Sequence, residues 1–375
     1  MKVLIIGSDR NLFKPNSDVY QRLVKYSQLV DRIFVVVFTK KGFTPVTSNS
    51  KLKIYPTNSK TKFCYIYDAW KLSKKIVAQE KIDIVSTQDP FESGLVGYWL
   101  KKKFNLGLNL QLHGDYFGQH NVYRTGLLNS CRLFLAKFLL PQADSIRTVS
   151  KKITASLAQF KISLAKIITV PIFIDCQKIA NAPVQIDLHK EFPGQFIILA
   201  VGRLVSVKNF GLLIESIDLL VKDYSQVMLV IVGSGSEEED LKLKAKSLIL
   251  ENKVLFYGWK DDLASFYKTA DVLVVTSKSE GYMRTPIEAA SCGLPTITTD
   301  VTPAGEVILD NINGFVLPNM TAESLAAKLL DLAKDPALRQ RLSRQVLLTV
   351  NSLPSEQDNL DLYLKSWQLA QLPKK

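Results

Sequence analysis

Asp271-Val-Leu-Val-Val-Thr276, followed at Glu280-Gly-Tyr-Met-Arg-Thr-Pro-Ile-Glu288 by a loop that opens a helix, is the stretch that decides the fold. The first run is short, apolar and β-branched and reads as a buried strand, while Thr285-Pro286-Ile287-Glu288 carries a helix-start signature. That order places Glu280 at the carboxyl end of a parallel strand. In open α/β sheets the crevice outside those ends receives ligands, and the next helix points free backbone N–H groups into it. Two carboxylates across such a loop suit a polyhydroxyl ligand. Glu288 also has a purely structural explanation: with Thr285 as N-cap and Pro286 at the first helical position, it completes a capping box. Glu280 has no comparable explanation, and sugar hydroxyls are one candidate partner.

Working outward, strand-like runs alternate with helical patterns along the whole chain, the pattern of parallel sheets covered by helices on both faces. The first half offers Lys2–Ile6, Ile33–Phe38, Lys53–Tyr55, Asp83–Ser86, Leu108–Leu112, Ser145–Val149 and Lys166–Val170. The second offers Phe196–Val201, Val227–Val232, Lys253–Tyr257, Val272–Thr276 and Thr296–Thr299. The expectation is an α/β protein of two Rossmann-like doubly wound domains facing a cleft. Residues 1–182 form the first domain, the polar, proline-bearing segment 183–195 the linker, and 196–353 the second domain. A last helix within 354–375, having no strand to precede, crosses back to the first domain.

A chain of 375 residues with 47% hydrophobic content can bury two cores. No apolar stretch approaches the roughly 18 residues that span a bilayer, and Met1–Gly7 turns polar too soon for a signal peptide, so a cytoplasmic protein is expected. Cys64, Cys131, Cys176 and Cys292 are scattered, which argues against a disulfide framework or a zinc site. Charge is uneven: 29 Lys and Arg face 12 Asp and Glu through residue 190, against 19 and 23 thereafter. The basic half suits nucleic acid, an anionic membrane surface or an anionic acceptor. No nucleic-acid module is recognisable and the basic residues are not interleaved with aromatics, so nucleic acid is not expected as a partner. The greasy segment Gly126–Leu140 fits a buried helix or a membrane-surface helix alike.

Several signatures occur in a fixed order: Val201-Gly-Arg203 with Lys208-Asn209, Val232-Gly-Ser-Gly235, Phe256-Tyr-Gly-Trp259, Ala270-Asp-Val272, Glu280 to Glu288, Ala289 to Pro295, Gly305-Glu306 and Asn313-Gly314. By these the chain resembles the family 4 retaining glycosyltransferases of GT-B fold, the group 1 glycosyl transferases. The resemblance implies transfer of a sugar from a nucleotide diphosphate sugar to a hydroxyl of a glycan, glycolipid or polyprenyl-linked acceptor, with no cofactor and no metal. By the same resemblance Arg203 and Lys208, beside Gly202, hold the donor diphosphate, Glu280 meets the donor sugar and Glu288 the ribose. The backbone of Tyr282, Met283, Arg284 and Thr285 faces the diphosphate, and Gly258 and Trp259 lie at the base. Two fixed cations can take over the charge-stabilising part that a divalent ion plays elsewhere. The chain has no Asp-x-Asp pair and only His113, His120 and His189 as histidines, few ligands for a metal clamp.

Where many relatives carry Gly-Phe-Gly, this chain has Gly281-Tyr-Met-Arg284, which restricts the loop; Arg284 serves either as a third phosphate ligand or as a surface residue. His113, after the strand ending at Leu112, matches the family histidine that reaches the donor sugar, and Asp115 either orients it or meets acceptor. Asp9 and Arg10, in a first loop with one glycine at Gly7, are the remaining acceptor contacts. Val232-Gly-Ser-Gly-Ser236 lacks the Gly-Lys-Ser/Thr of a phosphate loop, and Ser236 before three acidic residues reads as a helix cap. The competing readings are a sugar-nucleotide epimerase or phosphorylase of the same fold, an inactive relative, and a basic binding protein. Peripheral contact with the inner face of an anionic membrane is expected of the basic half.

Overall fold

The computed structural model describes residues 1–118, 126–302 and 304–371, the side chain of Asn49 excepted; His120 lies outside the described residues. The chain divides into two compact units, one of residues 1–172 with 355–375 and one of 173–354.

The first unit is built on eight strands: β1 (Lys2–Gly7), β2 (Arg32–Val37), β3 (Val46–Asn49), β4 (Leu52–Pro56), β5 (Ile84–Thr87), β6 (Gly107–Leu112), β7 (Ser145–Thr148) and β8 (Ile167–Thr169). They line up as β3-β4-β2-β1-β5-β6-β7-β8, every pair parallel except β3 with β4. The continuous apolar run of β1 has a direct cause, since alternate side chains serve opposite faces of the sheet. Val3 and Ile5 enter one core with Tyr26 and Trp367, and Leu4 and Ile6 enter another with Ile76 and Leu100. The expected return of the chain's last helix is present: Glu356–Gln368 lays Tyr363 and the fully buried Trp367 into the first of these cores. Its start is a capping box in which Ser355 and Asp358 each accept the other's backbone N–H, at 3.1 and 3.0 Å.

The second unit holds β9 (Phe196–Val201), β10 (Val227–Val232), β11 (Val254–Gly258), β12 (Val272–Val275), β13 (Thr296–Thr298) and β14 (Gly314–Val316), all parallel, in the order β11-β10-β9-β12-β13-β14. Two strands escaped the sequence reading. Val46-Thr-Ser-Asn49 is polar and pairs only as an antiparallel edge, and Gly314-Phe-Val316 is too short to show a period.

Segment 183–195 is no linker. Ile186, Leu188 and Phe192 pack into the core of the second unit, Leu188 fully buried, and the boundary falls at 172/173 instead of at 182. Helix Leu127–Leu139 is likewise not a buried helix. It buries Ala136 and Leu139 and leaves Leu127, Leu128, Phe134 and Phe138 exposed. Among the described residues no helix is long and apolar enough to cross a membrane.

Candidate active site

In the second sheet the chain leaves β9 outward through β10 and β11, then returns to lay β12 on the other side of β9. The loops after β9 and β12 therefore diverge from neighbouring strand ends at a topological switch point, where α/β sheets receive ligands. They are tied to each other: Lys278 N–H donates to Val207 O at 2.8 Å and Thr276 Oγ1 to Lys208 O at 2.8 Å. The glycines after β10 serve this same frame. A Cβ on Gly233, whose φ is +145°, would stand 1.9 Å from Gly202 O, so the 233 position admits only glycine while the 202–204 backbone passes so close. Ser236 does not cap the next helix, whose N-cap is Glu237, and Glu237 N–H is bonded to Leu204 O.

At this switch point Lys208 Nζ lies 2.6 Å from Glu280 Oε1, the two side chains 15% and 16% exposed. The structural explanation that the sequence withheld from Glu280 is thus an ion pair with Lys208. Among the described residues Lys208 Nζ is the one group that meets the buried Glu280 Oε1. Arg203, one loop position past Gly202, is exposed and forms no ion pair among the described residues.

The capping box expected of Thr285 and Glu288 is absent. Arg284 already has helical angles, Thr285 is the first residue of helix Thr285–Ser291, and Thr285 Oγ1 is buried without a partner among the described residues. Glu288 instead accepts from Tyr267 Oη at 3.0 Å and pairs with Arg284 Nε at 3.1 Å. Arg284 is thus an exposed surface residue, as one of its two expectations had it, and pairs with Glu288. Burial and the neighbouring Glu288 carboxylate hold the Tyr267 phenol protonated far above its ordinary range. Met283 is a core side chain and Tyr282 packs partly buried beside Ile287, which leaves backbone N–H groups as what they present. The amides of Tyr282, Met283 and Thr285 donate to nothing among the described residues. Gly258 takes φ +69° at the end of β11, and its neighbour Trp259 is 65% exposed with Nε1 donating to Asp261 Oδ1 at 3.2 Å. Among the described residues no three His, Cys, Asp or Glu side chains stand together as metal ligands.

In the first unit His113 follows β6 as expected, with Nε2 3.2 Å from Gln111 Oε1. Gln111, not Asp115, orients it. Asp115 Oδ1 accepts Gly118 N–H at 2.9 Å and braces its own turn. Asp9 similarly caps a short turn through Asn11 N–H at 2.9 Å, and Arg10 donates to Tyr65 Oη at 3.1 Å. Sequence reasoning missed the network behind His113. Gln111 Oε1 also accepts from Arg147 Nη1 at 2.9 Å, and Gln111 Nε2 donates to Ser86 Oγ and Tyr363 Oη at 2.8 and 2.9 Å. The available signal was polar residues, Gln111 and Arg147, inside otherwise apolar buried strands.

Burial, then the Arg147 and Arg22 charges, push the His113 pKa from 6.5 down to about 3, so its imidazole is neutral at pH 7. A histidine depressed on folding takes up a proton on unfolding, so its stabilising contribution is complete above about pH 6.5 and is lost as the pH falls toward 3. Urea unfolding of the wild type against His113→Gln between pH 4.5 and 8 should show the variant losing less stability on acidification. Parallel pH dependences would refute this.

Two family models match the chain: Glycosyltransferase Family 4 over residues 26–178 and Glycosyl transferases group 1 over residues 184–347. An uncharacterized glycosyltransferase of Methanocaldococcus jannaschii is 28% identical over 284 residues, 74% of this chain and 73% of that protein. Alpha-monoglucosyldiacylglycerol synthase of Streptococcus pneumoniae is 23% identical over 72% of this chain and 68% of that protein. Of the solved structures, sucrose-phosphate synthase from Thermosynechococcus elongatus superposes with a TM-score of 0.80 at 21% identity, covering 98% of each chain. Anabaena HepE in complex with UDP does so with a TM-score of 0.75 at 18% identity, over 99% of this chain and 98% of that one. With both sheets doubly wound and both family models matched in order, the chain belongs to the group 1, family 4 glycosyltransferases and is an enzyme of that class on the GT-B fold.

Proposed function

We propose that the protein is a retaining glycosyltransferase that works without a metal, moving a hexose-type unit from a nucleotide diphosphate sugar to a hydroxyl of a glycan, glycolipid or polyprenyl-linked acceptor. The observation that carries this reading is the Lys208–Glu280 contact at the β9/β12 switch point, with Arg203 on the same loop free of ion pairs among the described residues. Arg203 and Lys208 take the charge of the departing diphosphate, and Glu280, held by Lys208, accepts a sugar hydroxyl. Glu288 is assigned to the ribose and Gly258 with Trp259 to the base. The neutral His113 is assigned to a hydrogen bond with a sugar hydroxyl. In a front-side displacement the acceptor oxygen bonds to the anomeric carbon as the carbon–phosphate oxygen bond breaks, and the acceptor proton passes to the leaving phosphate oxygen. Relatives' names carry chemistry of this kind: a synthase of a glucosylated diacylglycerol at 23% identity, and a galactosyltransferase with a diphosphoundecaprenol-linked sugar as acceptor at 25%.

The test is turnover and hydrolysis of UDP-, GDP- and ADP-sugars in the presence of chelator, with the anomeric configuration of the product read by NMR. Persistent activity and a retained configuration are expected. Loss of all activity on chelation, or an inverted product, overturns the corresponding part.

The exposed apolar face of helix Leu127–Leu139 joins a basic, aromatic surface that supports peripheral contact with an anionic membrane from the cytoplasmic side. Phe138 meets Tyr98 edge-on at 5.4 Å, and Lys102 and Lys103 lie over the Tyr98 and Trp70 rings at 5.8 and 5.7 Å. Exposed aliphatics flanked by aromatics and lysines suit a headgroup layer. Co-sedimentation with phosphatidylglycerol-containing vesicles should exceed that with phosphatidylcholine alone, and Phe134→Ser with Phe138→Ser should reduce it severalfold. Equal binding to both vesicles would dismiss the proposal.

A further inference from the structure

We infer that the first unit contains a buried oxyanion site that takes a phosphate group. A cavity of about 70 Å³ is lined by Arg22, Gln88, Gln111, His113, Arg147 and Tyr363 among other residues, none of them acidic. It sits where β1 parts from β5, the switch point of the first sheet, since Ile5 of β1 and Gln88 just past β5 both border it. With liquid water occupying about 30 Å³ per molecule, the space suits a few waters or one tetrahedral oxyanion.

Its charge balance points to an anion. Arg147 is 3% exposed, and a guanidinium that deep is costly unless a counter-charge is near. Its bonds go only to neutral groups: Gln111 Oε1 and Val170 O, both at 2.9 Å, with the guanidinium 4.6 Å from the Tyr363 ring centroid. Arg147 Nε is buried and has no partner among the described residues. Among the described residues neither Arg147 nor Arg22 pairs with a carboxylate. Arginine donors match phosphate oxygens in pairs, which makes a phosphate the fitting counter-charge. Gly7 belongs to the same design, because a Cβ there would stand 2.0 Å from Gln88 Oε1 and drive that side chain from its place. The positive potential also explains why Arg147 and Arg22 both disfavour a charged His113.

The phosphate has two sources of equal chemistry, an acceptor that carries a phosphoryl group and free inorganic phosphate. Where it belongs to the acceptor, the inference rests on the transfer reading above. The probe is inorganic phosphate titrated calorimetrically into the full-length protein, with sulfate alongside and the His113 imidazole NMR signals as a local reporter. Saturable binding that shifts those signals is expected, surviving Lys208→Met and weakened about tenfold or more by Arg22→Gln, which removes a charge-assisted contact. Arg22 is half-buried and makes no hydrogen bond or ion pair among the described residues, so this variant should fold; Arg147→Lys tests the second cation. Absence of saturable binding, or equal binding by wild type, Arg22→Gln and Arg147→Lys, overturns the site. Competition between phosphate and acceptor in transfer assigns it to acceptor-borne phosphate, whereas a change in turnover without competition assigns it to free phosphate. If every donor fails to be turned over while phosphate still binds through Arg22, the transfer reading falls and this site stands.

Discussion

Lys208→Met is expected to lower kcat/KM by about a hundred- to a thousandfold, the usual loss when one preorganised stabiliser of developing negative charge is removed. Lys208 is held for this task by more than its ion pair. Thr276 Oγ1 on its carbonyl and Lys278 N–H on Val207 fasten its loop to the end of β12, so the ammonium is placed before any substrate arrives. The fall should lie mainly in kcat, because charge on the diphosphate grows as the glycosidic bond breaks. Glu280→Gln keeps the volume and removes the charge, leaving Lys208 partly buried and unpaired. That change should reduce kcat while the protein stays folded, and the double variant should lose less than the sum of the singles, because the two groups act as a unit. Steady-state kinetics on purified variants decide it. A Lys208→Met enzyme within threefold of wild type would remove the lysine from the reaction.

That ion pair was not legible in the chain, although both of its members were. Each residue could be placed at a strand end from the β-branched runs before it, since Phe196–Val201 and Val272–Val275 are apolar throughout, as strands buried on both faces must be. What joins them is the adjacency of β9 and β12, a pairing between distant segments that no local pattern reports. The same limit hid Arg147, which looks like an interruption of a strand until Gln111, Val170 and Tyr363 converge on it. Errors ran the other way where local signals were strong but tertiary partners stronger. Thr-Pro-Ile-Glu has the spelling of a capping box, yet Tyr267 and Arg284 claim the Glu288 carboxylate. Segment 183–195 is polar and proline-bearing, yet three apolar residues suffice to anchor it to the second core.

Trp367→Ala is expected to cost the first unit about 3–5 kcal/mol, the range for emptying a large aromatic from a closed core. Trp367 has no exposed surface, meets Tyr363 edge-on at 4.9 Å and Tyr26 at 6.4 Å, and is the largest fully buried side chain among the described residues. Its Nε1 is buried without a partner among the described residues, so Trp367→Phe, which removes that donor along with some volume, should be much milder. Because two units have separate cores, unfolding need not be a single transition. Calorimetry should show one component lowered by several degrees and the other unmoved. The effect should also reach the site: Tyr363 stacks on Tyr26 at 4.0 Å, bonds Gln111 and lies under Arg147, so loosening the helix loosens the support of His113. The His113 imidazole signals should therefore shift in Trp367→Ala but hardly in Trp367→Phe. A chain cut after Pro354 should lose His113 order along with the first-unit transition, and retention of both would show that the returning helix is an appendage instead of a part of that unit's core.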